Sequence, residues 1–159
     1  MSKASFLNNE QPLLCGMVQC ATVDECIVKI KASLAEGATA LGIQICKIKR
    51  EERTRENFTR LFAACEGKPI YVTSYRHSEN EGYTDEECAE VLLFALECGA
   101  TILDVMGDMF DRGAKHELTE NPEAVAKQKA LIEKIHALGG EVLMSSHTND
   151  NLSVEETLH

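Results

Sequence analysis

Five short apolar runs alternate along the chain with longer segments whose apolar residues recur at helical spacing. Most of these runs are continuous rather than alternating, which is typical of parallel strands that are covered on both faces. The predicted strands are Leu13–Cys20, Ala40–Ile48, Ile70–Tyr75, Thr101–Met106 and Glu141–Ser145. The pattern therefore predicts an α/β fold with about five parallel strands.

Capping signals mark where the intervening helices begin. A threonine followed three residues later by glutamate, as in a capping box, precedes two of the helical segments, and an Asn-Pro pair precedes another. The predicted helices run from Thr22 to about Glu36, from about Arg55 to Cys65, from Thr84 to the Gly99 junction, from Asn121 to the Gly139 junction, and onward from Ser153.

The junctions from helix to strand are short and contain glycine, at Gly37, Gly99 and Gly139. Such short connections predict parallel strands with right-handed crossovers. Two architectures fit this pattern, a doubly wound open sheet or part of a (β/α)8 barrel.

Polar residues gather where the predicted strands end, which is where both architectures place their functional groups. The end of the third strand reads Thr73-Ser74-Tyr75-Arg76-His77, and no strand is followed by a glycine-rich phosphate-binding motif. Chemistry that depends on side chains from several strand ends favours the barrel. We therefore expect residues 1–159 to form a single domain that corresponds to units one to five of a partial (β/α)8 TIM-type barrel.

The composition narrows the choice of partners. The chain has 159 residues, 44% of them hydrophobic, and a formal net charge of −10. This charge argues against nucleic acid or an anionic membrane as a partner, but it permits a small anionic metabolite if cations are placed locally to receive it.

The location of the protein also follows from its composition and its apolar segments. We find no signal peptide and no apolar stretch near the roughly 20 residues that span a bilayer, so we expect a soluble, cytoplasmic protein. The seven cysteines contain no CxxC pair, and we expect them to be small buried side chains in a reducing compartment.

Four residues near the strand ends are the main candidates for chemistry. His147 follows the last strand and is a candidate general acid/base, since histidine titrates near neutral pH. Arg76 is a candidate ligand for substrate oxygens, and Glu81 is a candidate partner that orients the histidine. Asp104 lies within an apolar strand, where a carboxylate needs a partner such as an arginine, a histidine or a ligand.

Each of these candidates has a structural alternative. Arg76 and Glu81 are also compatible with a solvated arginine and a loop carboxylate, and His147 with a hydrogen bond to a neighbouring loop. Gln44 and Thr73, at the ends of the second and third strands, are further candidates for substrate binding.

With these residues identified, the chain resembles the type I 3-dehydroquinate dehydratases, Schiff-base lyases of the shikimate pathway and of aromatic amino acid biosynthesis. Met144-Ser145-Ser146-His147 matches the family motif M-S-x-H, which carries its acid/base histidine. The stretch from Pro69 to Arg76, followed by Glu81-Gly82, is similar to a Thr-x-Arg motif with a downstream Glu-Gly, provided that one extra residue is allowed. Asp104 resembles the family's aspartate on strand 4.

The resemblance implies a class I aldolase-like (β/α)8 barrel that converts 3-dehydroquinate to 3-dehydroshikimate without a cofactor or metal. A lysine forms an imine with the ketone, which makes the adjacent C–H acidic. His147 takes that proton and later protonates the departing hydroxyl, Glu81 polarises His147, and Arg76 contacts substrate oxygens.

The chain also departs from the family pattern. The charged strand-2 motif Glu-x-Arg-x-Asp falls on Gly42, Gln44 and Cys46, and the second acid of the strand-4 motif falls on Met106. The imine-forming lysine belongs on a sixth strand, beyond His159. We therefore expect lyase activity of a full-length protein and no activity of these 159 residues alone.

Two other functions remain open. One is a binding module for a small metabolite on the same fold without catalysis. The other is a barrel enzyme dependent on Mg or Mn, with Asp104, Asp108, His147 and His77 as donors. Because a partial barrel leaves strand edges open, we also expect a homodimer.

Overall fold

The computed structural model describes residues 4–9, 11–148 and 151–155. Five parallel strands form one sheet in the order in which they occur along the chain. The strands are β1 (Cys15–Val18), β2 (Ala40–Gln44), β3 (Ile70–Thr73), β4 (Ile102–Met106) and β5 (Glu141–Ser145). This arrangement confirms the predicted α/β fold of alternating strands and helices.

Four helices connect the strands, and their starts follow the predicted caps. They are α1 (Val23–Ala35), α2 (Arg55–Ala63), α3 (Asp85–Cys98) and α4 (Pro122–Ala137). Thr22 and Thr84 each complete a capping box at the starts of α1 and α3. Asn121 accepts a hydrogen bond from the Glu123 amide at the start of α4, where Pro122 occupies the first position. Of the fifth predicted helix, residues 154–155 are helical and 156–159 lie outside the described residues.

Three predicted strands were too long. The sequence predicted the second strand to run to Ile48, but β2 ends at Gln44 and a 3₁₀ turn follows over Ile45–Lys47, closed by a hydrogen bond from the Ile48 amide to the Ile45 carbonyl. Strands β1 and β3 likewise end before Cys20 and Tyr75. After β2 the apolar run continues because Ile45, Cys46 and Ile48 are buried in the turn, so hydrophobicity alone does not mark where strand pairing ends.

The two faces of the sheet have different environments. Residues such as Leu41, Val72 and Leu103 belong to the main apolar core, which also contains residues of all four helices. Their neighbours along each strand point to the opposite, inner face. On that face Gly42 makes room for Met17, since a Cβ at this position would lie 2.0 Å from the Met17 sulfur.

The sheet is open within the described residues. Strand β1 pairs with β2 and β5 pairs with β4, and these two strands form the edges. On the inner face, Met17 at one edge and Leu143 at the other are 48% and 41% exposed. The fold is therefore a partial barrel, and the homodimer stays a prediction.

Two further expectations concern the cysteines and membranes. All seven cysteines are free; the prediction of buried side chains holds for Cys26, Cys46, Cys65 and Cys88, whereas the other three are only partly buried. Burial raises the pKa of Cys65 to about 12, which keeps this thiol protonated. Among the described residues, no helix has both the length and the apolar character required to cross a bilayer.

Candidate functional site

A cavity of about 440 Å³ opens at the carboxyl ends of the strands. This is where parallel α/β folds place their sites, because loops from several strands converge there. The predicted residues His147, Arg76 and Gln44 are among those lining it, whereas Asp104, Thr73 and Glu81 are not. The cavity is lined by Gln44, Tyr75, Arg76, His77, Met106, Asp108, Glu117 and His147.

A hydrogen-bonded chain leads from the inner face of the sheet to His147. Asp104, which is 2% exposed, accepts hydrogen bonds at Oδ2 from the hydroxyls of Tyr71 (2.5 Å) and Tyr75 (2.7 Å). The Tyr75 oxygen lies 3.1 Å from Nε2 of His147, and the two rings meet edge to face with centroids 4.9 Å apart. The buried carboxylate therefore has two phenol donors, and one of them touches the candidate base.

The direction of these hydrogen bonds determines which nitrogen of His147 can act as a base. With Asp104 as a carboxylate, which only accepts, the single hydrogen of Tyr75 goes to Asp104, and the Tyr75 oxygen accepts from His147. This arrangement predicts hydrogen on Nε2 of His147 and a free lone pair on Nδ1. Burial, followed by the effect of Asp104, raises the pKa of both Tyr71 and Tyr75, which keeps both phenols protonated.

Glu117 holds the other side of His147. Its Oε2 accepts a hydrogen bond from the His147 backbone amide at 2.5 Å and lies 3.7 Å from Nδ1. A carboxylate at this distance would stabilise the imidazolium that forms when Nδ1 takes a proton.

Glu81 occupies a different place from the one expected. Its side chain is exposed, and its backbone carbonyl accepts a hydrogen bond from Arg50 at 3.0 Å. Within the described part of the chain, no hydrogen bond or ion pair joins Glu81 to His147, and the carboxylate beside the imidazole is Glu117. The role assigned to Glu81 by resemblance thus stays a prediction without a supporting contact.

Arg76 lines the cavity, but most of its guanidinium is bound within the protein. Nε and Nη2 form a bidentate ion pair with Asp85, at 2.7 and 2.9 Å. Nη1 contacts the Asp108 carboxylate at 2.7 Å, and Nη2 also donates to the Asp108 carbonyl at 3.0 Å. One of its five N–H donors is left for a ligand.

Asp85 in turn is held by several donors. Burial acts to raise the pKa of Asp85, but the hydrogen bonds from Arg76 and the Phe110 amide, together with the charges of Arg76 and Arg112, outweigh it and lower the pKa. This network fastens the start of α3 to the loop after β4, so its geometry is that of a structural ion pair.

Three polar side chains form a layer across the inner face beside this cavity. Gln44 on β2 is paired with Thr73 on β3, and Asp104 on β4 is the next residue after Leu103, which is paired with Val72. Oε1 of Gln44, Oγ1 of Thr73 and Oδ1 of Asp104 are buried and have no hydrogen-bond partner in the protein. Buried oxygens of this kind are normally hydrogen-bonded, so these three atoms make the layer unusual within the sheet.

Sequence reasoning missed Tyr75 and Glu117. Tyr75 follows Thr73 by two residues, and because side chains two apart share a face, strand periodicity would have placed both on the inner side and Arg76 on the other. The resemblance needed an extra residue in this stretch, and this extra residue shifts Arg76 away from the inner face. Glu117 belongs to the irregular segment after β4, between Met106 and α4, where no periodic pattern indicates orientation.

The donors proposed for a divalent metal are not assembled as a metal site. Asp108 is bound to Arg76, and Asp104 to the two tyrosines. In residues 4–9, 11–148 and 151–155, no three His, Cys, Asp or Glu side chains are grouped so that they could hold a metal ion.

Solved structures with similar folds support the partial barrel. No protein-family model and no curated protein sequence matches the chain. The chain is similar to 3-dehydroquinate dehydratase from Geobacillus kaustophilus HTA426, with a TM-score of 0.66, 16% identity, and coverage of 94% of this chain and 55% of that one. It is also similar to the Enterococcus faecalis 3-dehydroquinate dehydratase, with a TM-score of 0.65, 16% identity, and coverage of 93% and 59%.

A weaker likeness is to oxaloacetate acetylhydrolase in complex with the product oxalate, with a TM-score of 0.52, 15% identity, and coverage of 87% of this chain and 54% of that one. At such low identities these structures show a shared barrel fold and no particular activity. The chain spans 55% and 59% of the length of the two dehydratases.

Proposed function

We propose that this chain contributes the acid/base side of a carbon–oxygen lyase site that dehydrates a β-hydroxy ketone, with 3-dehydroquinate as the reference compound. The observation that supports it is the placement of His147 at the cavity, where Tyr75 holds Nε2 and leaves Nδ1 available. The likeness to dehydratase structures makes this class of reaction the first to test.

The proposed reaction uses Nδ1 of His147 and the Glu117 carboxylate beside it. Nδ1 removes the proton next to the substrate carbonyl, and Glu117 stabilises the resulting imidazolium. As the carbon–carbon double bond forms, the β carbon–oxygen bond breaks. The proton held by Nδ1 then passes to the departing hydroxyl, which leaves as water and restores neutral His147.

Proton removal also needs an electron sink at the carbonyl. In the family that the sequence resembles, a lysine imine supplies it. That lysine belongs on a sixth strand, whereas the described residues form five strands. A small primary amine added in solution can form the same kind of imine, so the contribution of His147 is measurable with the 159-residue chain.

The test is the appearance of the conjugated enone by ultraviolet absorption. The chain is incubated with methylamine and with either 3-dehydroquinate or the neutral 3-hydroxycyclohexanone. We expect the chain to accelerate dehydration of at least one of them above the rate with methylamine alone. His147→Ala should lower that contribution by about 10²- to 10⁴-fold.

A matched control is His136→Ala, which removes an exposed histidine from α4 and should leave the rate unchanged. A dehydration rate no higher with the chain than with methylamine alone, or a His147→Ala variant as fast as the wild type, would overturn the proposal.

The second candidate is a metabolite-binding module without catalysis. This function is favoured because Arg76 is held in ion pairs with Asp85 and Asp108 and because Gln44 on β2 is uncharged, which leaves few groups to act on a substrate. Calorimetric binding of a ring ketone, together with no His147-dependent dehydration, would support this function over the lyase.

A further inference from the structure

The charges around the cavity point to the class of ligand that it takes. Arg76 and Arg112 are paired with Asp85 and Asp108, so these four side chains sum to no net charge. This cluster offers no excess positive charge to a carboxylate ligand.

Two other carboxylates, one in the cavity lining and one buried beside it, have no Lys or Arg partner among the described residues. Glu117 lines the cavity, and its contacts are with His147. Asp104 is buried next to Tyr75, and its Oδ1 has no hydrogen-bond partner. The charge of Lys47 adds to burial in lowering the pKa of His77, but Lys47 is not among the residues that line the cavity.

The negative charge at the cavity favours a cationic group. Glu117 and Gln44 line the cavity, and the buried Asp104 lies beside it, in contact with the lining residue Tyr75. An ammonium group has three N–H donors and a positive charge, so it matches the Glu117 carboxylate in the lining and is attracted by the charge of Asp104. A carboxylate group would be repelled by both acidic side chains.

We propose that the cavity binds a hydroxylated ring metabolite that carries a protonated amine, and that it discriminates against the same ring with a carboxylate. This inference names a substrate class for the proposed lyase site. It rests on the proposed function because both concern the same cavity. It departs from the small anionic metabolite expected from the sequence, because that expectation required cations placed to receive the ligand, and Arg76 at the cavity is paired with Asp85 and Asp108.

Three matched ring polyols test this proposal by isothermal titration calorimetry at pH 7. They are an aminocyclitol with one ammonium, a neutral cyclitol, and quinate with one carboxylate. We expect the aminocyclitol to bind at least about tenfold more tightly than quinate, with the neutral ring between them. Quinate binding as tightly as the aminocyclitol, or no binding by any of the three, would overturn the inference.

Variants test which side chains produce the preference for the aminocyclitol over quinate. Glu117→Gln, at a partly exposed position, keeps an oxygen that can accept from the His147 amide and should reduce the preference for the aminocyclitol about threefold or more, and Asp104→Asn should reduce it further. The control Glu133→Gln removes an exposed carboxylate from α4 and should not change it. A preference that persists unchanged in both site variants would contradict the assignment.

The failures of the two proposals can be told apart. His147-dependent dehydration combined with tighter binding of quinate would overturn the ligand class and leave the lyase intact. A clear ammonium preference without His147-dependent dehydration would overturn the lyase and leave the ligand class intact.

Discussion

Replacing Arg76 separates a structural arginine from a substrate ligand. In Arg76→Met the long apolar stem is kept, while the guanidinium that contacts Asp85 and Asp108 is lost. Both carboxylates are buried, and removing one partner of a buried ion pair typically costs about 3–5 kcal/mol. We therefore expect the free energy of unfolding to fall by about 3–5 kcal/mol at pH 7.

Urea denaturation monitored by circular dichroism measures this loss. With an m-value of about 2 kcal/mol/M, the midpoint should fall by about 2 M. Arg60→Met is the matched control, because Arg60 forms an exposed ion pair with Asp24 and should move the midpoint far less. A loss of stability no larger than that of the control would refute the structural role and would support Arg76 as a ligand of the substrate.

The pH dependence provides a second signature of the same ion pair. In the wild type the pKa of Asp85 is lowered, so the stability it contributes is present above the ordinary carboxyl pKa and is lost as pH falls through the folded value. In Arg76→Met, burial still acts to raise that pKa. The difference in stability between wild type and variant should therefore be largest at pH 7 and shrink as pH falls below the ordinary carboxyl pKa toward the lowered value of Asp85, and a difference independent of pH would contradict this origin.

Two further substitutions test how the strand ends are packed. Gly107→Ala would place a Cβ 2.6 Å from the backbone oxygen of Glu117 and should lower the free energy of unfolding by about 1–3 kcal/mol. Gly42→Ala meets only the flexible end of Met17 and should lower it less. Equal shifts of the melting temperature in the two variants would contradict this distinction. Thr101→Val removes the hydroxyl that accepts a hydrogen bond from the Ile70 amide at 2.5 Å, so chemical denaturation should show a free energy of unfolding lower by about 1–3 kcal/mol. Thr101→Ser keeps the hydroxyl and should retain most of the wild-type stability. A serine variant as unstable as the valine variant would contradict that role.

The fold was largely predictable because its signals are local. Threonine with glutamate three residues later predicts a helix start, and a continuous apolar run before it predicts a buried strand, as at Thr84 and β3. The strand ends were not predictable in the same way. Ile45 and Cys46 are as buried in their 3₁₀ turn as they would be in a strand, so hydrophobicity does not distinguish the two.

The site was predictable only where it follows a strand directly. His147 comes two residues after β5, and its place at the cavity follows from the position of that strand's end. Asp104 was expected to need a partner, but the partners are Tyr71 on the neighbouring strand and Tyr75 just after it, rather than an arginine or a histidine. Glu117 lies 30 residues from His147 in an irregular segment, and its approach depends on tertiary packing that no local pattern records.

The most direct test of the account is the tautomer of His147, measured by ¹⁵N NMR of the neutral imidazole. We predict hydrogen on Nε2, with a shift characteristic of a hydrogen bond, and loss of that shift in Tyr75→Phe, since the phenol oxygen is the acceptor. Hydrogen on Nδ1, or an Nε2 signal that Tyr75→Phe leaves unchanged, would contradict the claim that Tyr75 and Asp104 prepare this histidine as a base.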